Sequence, residues 1–131
     1  MRAPEIGRTA TQTFDTSYED SAEAGGNPGV VVVSTRTLVE WLEVVAESAM
    51  HDTFEDGEVS VGAAVCVRHL APSLAGQPVT ITATLTAARN KMVDFDVEVR
   101  DGERVLMTGT HTRAVIDLDA FLASLNEPGA P

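Results

Sequence analysis

Three residues between positions 35 and 69 carry groups that together can hydrolyse an acyl group: the hydroxyl of Thr35, the carboxylate of Glu43 and the imidazole of His69. The hydroxyl and the carboxylate can attack a carbonyl carbon or orient the attacking group, and an imidazole transfers protons near neutral pH. Gly62 interrupts a strand-like stretch, where a glycine often marks the close approach of a ligand. The pattern predicts a hydrolytic site built from these four residues.

Each of these residues also has a common structural role. A hydroxyl just before an apolar-periodic run usually caps a helix, and Ser34, Thr35 and Thr37 all stand at such a position. A lone histidine such as His69 is more often a hydrogen-bonded structural residue than a catalyst, and a β-bulge explains Gly62 equally well. The helix N-terminus beside Thr35 favours nearby negative charge in either case.

Glu43 belongs to a row of acidic residues on one face of a predicted helix. Apolar residues recur at intervals of three and four over residues 38–50, and Glu40, Glu43 and Glu47 project from the opposite face. Such a face usually meets water, so periodicity alone favours a solvated role for all three glutamates. Thr37 and Glu40 fit a capping box at the start of this helix.

Four strand-like stretches follow the helix and predict an α+β domain. The clearest is residues 92–100, in which valine and phenylalanine alternate with acidic residues, and Asp101-Gly102 then fits a hairpin turn. One amphipathic helix beside a run of antiparallel strands must bury its apolar arc against a single sheet face. A short C-terminal helix capped by Asp117 completes the predicted domain.

A chain of 131 residues is long enough for one domain. We interpret residues 1–29 as an N-terminal strand and a mobile loop segment rich in acids, glycine and proline. Residues 30–126 form the predicted folded domain, and residues 127–131 a flexible tail.

Charge and cysteine content restrict the possible partners and the compartment. The formal net charge of −11 argues against a nucleic-acid partner, which needs a basic surface. Cys66 is the single cysteine, so no intramolecular disulfide forms, and no stretch approaches the roughly 20 apolar residues of a membrane span. We therefore predict a soluble, cytoplasmic protein without a membrane role. Cys66 is expected in the core, and no residue cluster has the spacing of metal ligands.

Three longer stretches occur in the order found in one enzyme group: VVSTRTLVEWLEVV, VSVGAAVCVRHLAPSLAGQPVTITATL and GTHTRAVIDLDAF. Over about residues 30–121 the chain resembles the fluoroacetyl-CoA thioesterase group of hot-dog-fold proteins. The resemblance implies a hot-dog fold, in which an antiparallel β-sheet wraps around a central α-helix. It also implies hydrolysis of an acyl-CoA thioester to a free acid and CoA, with no cofactor beyond the coenzyme A of the substrate.

The resemblance implies roles for individual residues. Thr35 is expected to orient the carboxylate or the substrate, and Glu43 and His69 to direct the attack on the thioester. Whether Glu43 attacks covalently or activates water is not decided by spacing. The expected substrate-binding residues are Gly62, through a nearby backbone N–H, together with Ser34, Arg36 and Arg113. Arg113 either holds the active-site segment or binds CoA phosphates.

Oligomeric state and acyl specificity follow less directly. One small sheet around one helix leaves a sheet edge and a polar helix face that a two-fold partner can cover, so a homodimer is the minimum expected assembly.

Fluoroacetyl-specific members of the group carry phenylalanines that form a lid over the acyl pocket. Here the corresponding stretch is GGNPGVVVV, with Gly29 where the key aromatic residue is expected. We therefore predict a different or broader acyl group.

Two other functions fit the same fold. A non-catalytic module could bind acyl-CoA or an acyl carrier without turnover, because fold does not fix function. An enoyl-CoA hydratase or dehydratase of the hot-dog type is the other alternative. The complete set of hydroxyl, carboxylate and imidazole disfavours the first, and the missing His-with-Asp pattern disfavours the second.

Overall fold

The computed structural model describes residues 1–126, which form a five-stranded antiparallel sheet and two helices. The strands are β1 (Thr9–Phe14), β2 (Glu58–His69), β3 (Val79–Arg89), β4 (Met92–Asp101) and β5 (Arg104–Asp117). The helices are α1 (Thr35–Met50) and α2 (Leu118–Leu125), and short 3₁₀ turns cover Tyr18–Asp20 and His51–Thr53. The predicted tail, 127–131, lies outside the described residues.

The sheet has the strand order β1-β3-β4-β5-β2 and wraps around α1, which confirms the predicted α+β hot-dog architecture. β4 and β5 form the expected hairpin, and Gly102 takes the positive φ of 58° that its turn requires. Asp117 caps α2 as predicted, because its carboxylate accepts a hydrogen bond from the backbone N–H of Ala120 at 2.9 Å.

The core lies between α1 and the inner face of the sheet. The predicted alternation of β4 is confirmed, since Val93, Phe95, Val97 and Val99 are all buried against the helix. Full burial of each large apolar side chain contributes roughly 1.5–3 kcal/mol, so this layer holds α1 to the sheet. Its large, fully buried members include Leu38, Leu42, Ile81, Leu85 and Phe95.

The start of α1 differs from the predicted capping box. Ser34 is the N-cap, and its side-chain oxygen accepts the backbone N–H of Thr37 at 3.1 Å. The hydroxyl of Ser34 in turn donates to Oγ1 of Thr37 at 2.8 Å. The helix therefore begins at Thr35, whose side chain stands at the positively polarised end of α1.

The strand within residues 1–29 belongs to the sheet, because β1 pairs with β3 along its whole length. Phe14 at the end of β1 stacks on Trp41 of α1, with 4.7 Å between ring centroids. Two isolated bridges, Ser21 to Val33 and Val32 to Leu74, fix the segment that leads into α1. The sheet thus begins before residue 30.

β2 is an edge strand with exposed apolar residues on both faces. Residues 61–66 are all exposed, including Val61, Val65 and Cys66. The expectation that Cys66 lies in the core is therefore wrong, because no element of the protomer covers its side of the strand. An apolar, 12-residue edge of this kind is a surface for pairing with another chain.

Among residues 1–126, no helix is long and apolar enough to cross a membrane.

We predict that Gly109→Ala destabilises the fold by roughly 1–3 kcal/mol, the usual cost of overpacking. A Cβ at Gly109 would lie 2.7 Å from Cα of Val67 and would also overlap the carbonyl oxygen of Cys66. The β2–β5 pair would have to separate to make room. Urea unfolding measures the change, and the exposed Thr110→Ala in the same strand is the control. Equal unfolding free energies for the two variants would contradict the prediction.

Candidate active site

The N-terminus of α1 and the end of β2 bring Thr35 and His69 together. Oγ1 of Thr35 lies 2.8 Å from Nδ1 of His69. The other ring nitrogen, Nε2, is the one buried side-chain nitrogen or oxygen of residues 1–126 that has no hydrogen-bond partner. Buried polar atoms are almost always paired, so Nε2 is available to a partner that the protomer itself does not supply. We call these two residues the Thr35–His69 pair.

Burial keeps the imidazole of His69 neutral. Loss of solvent lowers its pKa from the ordinary value of 6.5, and the nearby backbone of Ala71 only partly opposes this effect. A neutral imidazole bonded to a hydroxyl can take up or deliver a proton near neutral pH. Either ring tautomer leaves Nε2 as the nitrogen available for this transfer.

An apolar cavity of about 270 Å³ adjoins the Thr35–His69 pair. Besides His69, it is lined by Val32, Leu70, Ala71 and Pro72. The lining contains no charged side chain, so it suits an uncharged group of a ligand.

The other residues predicted near the start of α1 have different environments. The hydroxyl of Ser34 is taken up by the helix cap, and Ser34 is buried. Arg36 is exposed on the first turn, where its guanidinium approaches Gly25. The contacts of Ser34 and Arg36 with a substrate therefore stay predictions.

Glu43, two helical turns further on, lies against Gly62 of β2. A Cβ on Gly62 would stand 3.1 Å from Oε1 of Glu43, so the glycine makes room for the carboxylate beside the strand backbone. The register of β2 also shifts between Gly62 and Ala64, which marks a β-bulge. The close approach and the bulge, weighed as alternatives from the sequence, thus occur together.

Arg113 of β5 lies behind Glu43 and is buried, with only 6% of its side chain exposed. Its Nη1 is 3.9 Å from Oε2 of Glu43, and its Nη2 is 3.3 Å from Oε2 of Glu47. Nε donates to Oγ of Ser60 at 2.8 Å. Of its two predicted roles, the geometry favours holding the active-site segment over binding CoA phosphates.

Sequence reasoning missed three residues of this cluster. Glu47 was expected to be solvated, but it accepts a hydrogen bond from Arg113 and faces the hydroxyl of Ser60 at 3.4 Å. His111 is fully buried, and its Nε2 lies 3.1 Å from Nη1 of Arg113. A usable signal existed, because His111 and Arg113 are two residues apart and so share one face of β5. We call Glu43, Glu47, Ser60, Gly62, His111 and Arg113 the Glu43 cluster.

The protomer does not join the Thr35–His69 pair to the Glu43 cluster. Eight residues of α1 separate Thr35 from Glu43, which is about 12 Å along the helix axis. Seven residues of β2 separate Gly62 from His69, which is roughly 23 Å of extended strand. Within the described chain, Glu43 has a cavity of its own of about 250 Å³, lined also by Glu40, Val44, Glu47 and Arg113.

A larger depression of about 370 Å³ lies on the outer face of the sheet. Its lining includes Thr82, Asp96, Glu98 and Thr108 but no histidine or other neutral base. We therefore place the candidate site at the Thr35–His69 pair and the Glu43 cluster, and not at this depression. No cluster of three or more potential metal ligands occurs among residues 1–126.

We predict that the rings of His69 and His111 both titrate below their ordinary pKa of 6.5. Burial is the main cause for each; for His111, the bond to the Ala64 backbone opposes it and the charge of Arg113 adds to it. The unfolded chain therefore takes up protons first, and the folded protein loses stability as the pH falls below about 6.5. NMR titration of the ring protons, assigned with His→Gln variants, measures both midpoints. A midpoint above 6.5 for either ring would contradict the assignment.

Comparison with known proteins places this geometry in a family. The model of the fluoroacetyl-CoA-specific thioesterase family matches residues 16–119. The chain is 36% identical over 110 residues to the fluoroacetyl-CoA thioesterase of Streptantibioticus cattleyicolor, covering 84% of this chain and 78% of that protein. A solved structure of a fluoroacetyl-CoA thioesterase superposes with a TM-score of 0.85 at 30% identity, covering 96% of this chain and 99% of the other.

The fold extends to more distant proteins. A Thermus thermophilus protein described as a thioesterase superfamily member superposes with a TM-score of 0.88 at 22% identity, covering 95% of this chain and 93% of the other. At that identity the likeness shows the fold alone. The family match and the 36% identical relative decide the assignment: the chain belongs to the fluoroacetyl-CoA-specific thioesterase family and is a thioesterase with the hot-dog fold.

Proposed function

We propose that the protein hydrolyses acyl-CoA thioesters as a homodimer, with Thr35 and His69 of one protomer and Glu43 of its partner acting on the same substrate. The observation that carries this proposal is the separation of the two halves within one protomer. Catalytic groups must stand within about 3–3.5 Å of the reacting atoms. A Glu43 held over Gly62 is too far from the Thr35–His69 pair of its own chain to share one carbonyl carbon.

The exposed edge of β2 supports the dimer. Antiparallel pairing of β2 with the same strand of a second copy reverses its direction, so the Gly62 end of one strand meets the His69 end of the other. Pairing would cover the apolar side chains of Val61 and Val65, which are 36% and 37% exposed in the protomer. Val44, on the acidic face of α1, is 52% exposed and lies beside the same region.

In the proposed reaction, Glu43 delivers the attack on the thioester carbonyl, either directly or by activating a water. The carbonyl oxygen gains negative charge, which a backbone N–H near Gly62 stabilises together with the first N–H groups of α1. The C–S bond breaks, and Nε2 of His69 gives a proton to the departing sulfur of CoA. Water supplies the remaining oxygen and hydrogen of the free acid. Thr35 orients the imidazole through Nδ1.

Two exposed arginines are the proposed contacts for the CoA phosphates. Within the described part of the chain, neither Arg36 nor Arg68 takes part in an ion pair, whereas Arg89 pairs with Asp94 and Lys91 with Glu58. Both arginines neighbour the Thr35–His69 pair in sequence, Arg36 after Thr35 and Arg68 before His69.

We also place the enzyme in the cytoplasm, because Cys66 is exposed and unpaired, as a reducing compartment allows.

The apolar cavity beside His69 supports an uncharged acyl group larger than acetyl. No phenylalanine, tyrosine or tryptophan of the described residues lines it, and Gly29 stands where the lid aromatic was expected. Val31, Leu70 and Leu74 are exposed at its margin, and exposed apolar side chains beside a pocket extend the surface that a ligand can bury.

We predict that kcat/KM rises from acetyl-CoA to butanoyl- and hexanoyl-CoA. Each buried CH₂ contributes about 0.8 kcal/mol, or roughly fourfold. Val32→Phe should reverse the order by filling the cavity, and Leu74→Ser should weaken only the longer esters. Thiol release across the ester panel measures the rates. A strong preference of the native enzyme for fluoroacetyl-CoA would contradict the proposed specificity.

We predict that two inactive variants restore activity when mixed. His69→Ala and Glu43→Gln should each lower kcat by at least about 100-fold, since each removes a reacting group. A heterodimer of the two contains one complete site if Glu43 acts across the interface. Co-refolded mixtures should then recover about a quarter of the native rate, because half of a random mixture is heterodimer with one of two sites intact.

The control is a protein that carries both substitutions in one chain, mixed with native protein. Its heterodimers hold one defect at each of the two sites, so only the native dimers, about a quarter of a random mixture, should be active. If Glu43 acted within its own protomer, every native chain would stay active and the control would keep about half of the native rate. About half of the native rate in the control, with no activity in the mixture of the two single variants, would show that Glu43 acts within its own protomer and would refute the shared site.

A further inference from the structure

The buried guanidinium of Arg113 is held on almost every side. An arginine has five N–H donors in a fixed planar arrangement. In addition to the bonds from Nε to Ser60 and from Nη2 to Glu47, Nη2 donates to the carbonyl oxygen of Ser60 at 3.2 Å. Nη1 contacts His111 at 3.1 Å and faces Glu43 at 3.9 Å. The direction of Nη1, and so its distance from Glu43, depends on the contact with His111.

The hydrogen bonds of His111 fix its tautomer. Guanidinium nitrogens only donate, so Nε2 of His111 must be the acceptor from Arg113. Nδ1 then carries the proton and donates to the carbonyl oxygen of Ala64 at 2.8 Å. A protonated ring could not accept from Arg113. Burial, which lowers the pKa of His111, keeps the ring in the neutral form that this arrangement needs.

The carbonyl that His111 binds belongs to the β-bulge of β2. The register shift lies between Gly62 and Ala64, and it is Gly62 that makes room for the Glu43 carboxylate. His111 therefore connects the two supports of Glu43: the bulged strand on one side and the Arg113 guanidinium on the other.

Stability alone does not explain a histidine at this position. His111 is 1% exposed and stacks beside Phe95, with 6.3 Å between ring centroids, so its surroundings also suit an apolar side chain. Residues that break the local preference for apolar packing are expected where function requires them. The polar ring is therefore retained for its two hydrogen bonds.

We propose that His111 is a positioning residue that sets the geometry of Glu43: its Nε2 fixes the direction of the Arg113 guanidinium, and its bond to the β2 bulge holds the ring in place for that contact. The inference rests on the proposed function, in which Glu43 delivers the attack on the thioester. His111 touches no substrate. Its effect appears in the rate of the chemical step and not in CoA binding, because the phosphates of CoA meet other residues.

Two amide substitutions separate the bonds of His111. The side-chain amide of His111→Gln reaches the position of Nε2 and can accept from Arg113, whereas the shorter His111→Asn reaches only Nδ1 and keeps the bond to Ala64. We expect kcat within about threefold of native for Gln and a loss of roughly 10- to 100-fold for Asn, the effect of one hydrogen bond to a charged group. KM for the CoA ester should change by less than about twofold in both.

A double-mutant cycle tests whether His111 acts through Arg113. Arg113→Lys loses the fork geometry of the guanidinium. In that background, His111→Asn should lower kcat by no more than about twofold further, because coupled residues are not additive. His51→Asn, an exposed histidine at the end of α1, is the matched control and should keep the native rate.

The assays distinguish a failure of the positioning role of His111 from a failure of the proposed role of Glu43. Circular dichroism and thermal unfolding establish that each variant is folded. Equal kcat losses for the Gln and Asn variants, or additive losses with Arg113→Lys, would overturn the role of His111. Glu43→Gln is assayed beside them. Native activity in that variant would refute the role of Glu43 itself, whereas its inactivity with a native rate for His111→Asn would refute only the positioning role.

Discussion

The buried positive charge of Arg113 is the constraint that organises the site. A guanidinium taken out of water is costly unless acceptors surround it. In a chain with 20 acidic and 9 basic residues, acceptors are plentiful, but only Glu43 and Glu47 project from α1 toward β5. Their pairing with Arg113 turns the acidic face of α1 toward β2, so the charge that stabilises the packing also places the carboxylate.

This electrostatic contact needs a strand that lets the helix side chain come close. Gly62 provides the space because it has no Cβ, and the adjacent bulge lets β2 bend at this point. A larger residue would push Glu43 away from the backbone and from Arg113. The carbonyl oxygen of Ala64 at the bulge accepts a hydrogen bond from His111, so a side chain of the neighbouring strand contacts β2 where it bends.

Features with a local period could be predicted from the sequence, and those set by the order of strands could not. The alternation of β4, the Asp101-Gly102 hairpin and the apolar stripe of α1 each depend on neighbouring residues. The environment of Cys66 depends on whether β2 is central or at an edge, which only the assembled sheet decides. Glu47 was missed for the same reason, since its partner Arg113 is distant in sequence from the helix. His111 is only two residues from Arg113, but the burial that pairs the two side chains depends on tertiary contacts.

The site residues show the same division. The contact between Thr35 and His69 follows a prediction, although the two residues are 34 positions apart, because the resemblance already linked the two segments. The sequence offers three rival caps for α1: Ser34, Thr35 and Thr37. Only the backbone conformation decides between them, because α1 begins directly after Ser34. No periodicity distinguishes three adjacent hydroxyl residues, since each could satisfy the same helix N–H groups.

The separation of the two halves also resolves a conflict of charge. Glu40, Glu43 and Glu47 outweigh the single Arg113 by two negative charges, which disfavours an anionic CoA beside them. The Thr35–His69 pair is uncharged, and its sequence neighbours are Arg36 and Arg68. In the proposed site, screening over about 8 Å at physiological salt weakens the repulsion between these glutamates and CoA phosphates bound beside Arg36 and Arg68. In the proposed dimer, the thioester meets the partner's Glu43 at the interface, while the CoA phosphates contact Arg36 and Arg68 on the other half of the site.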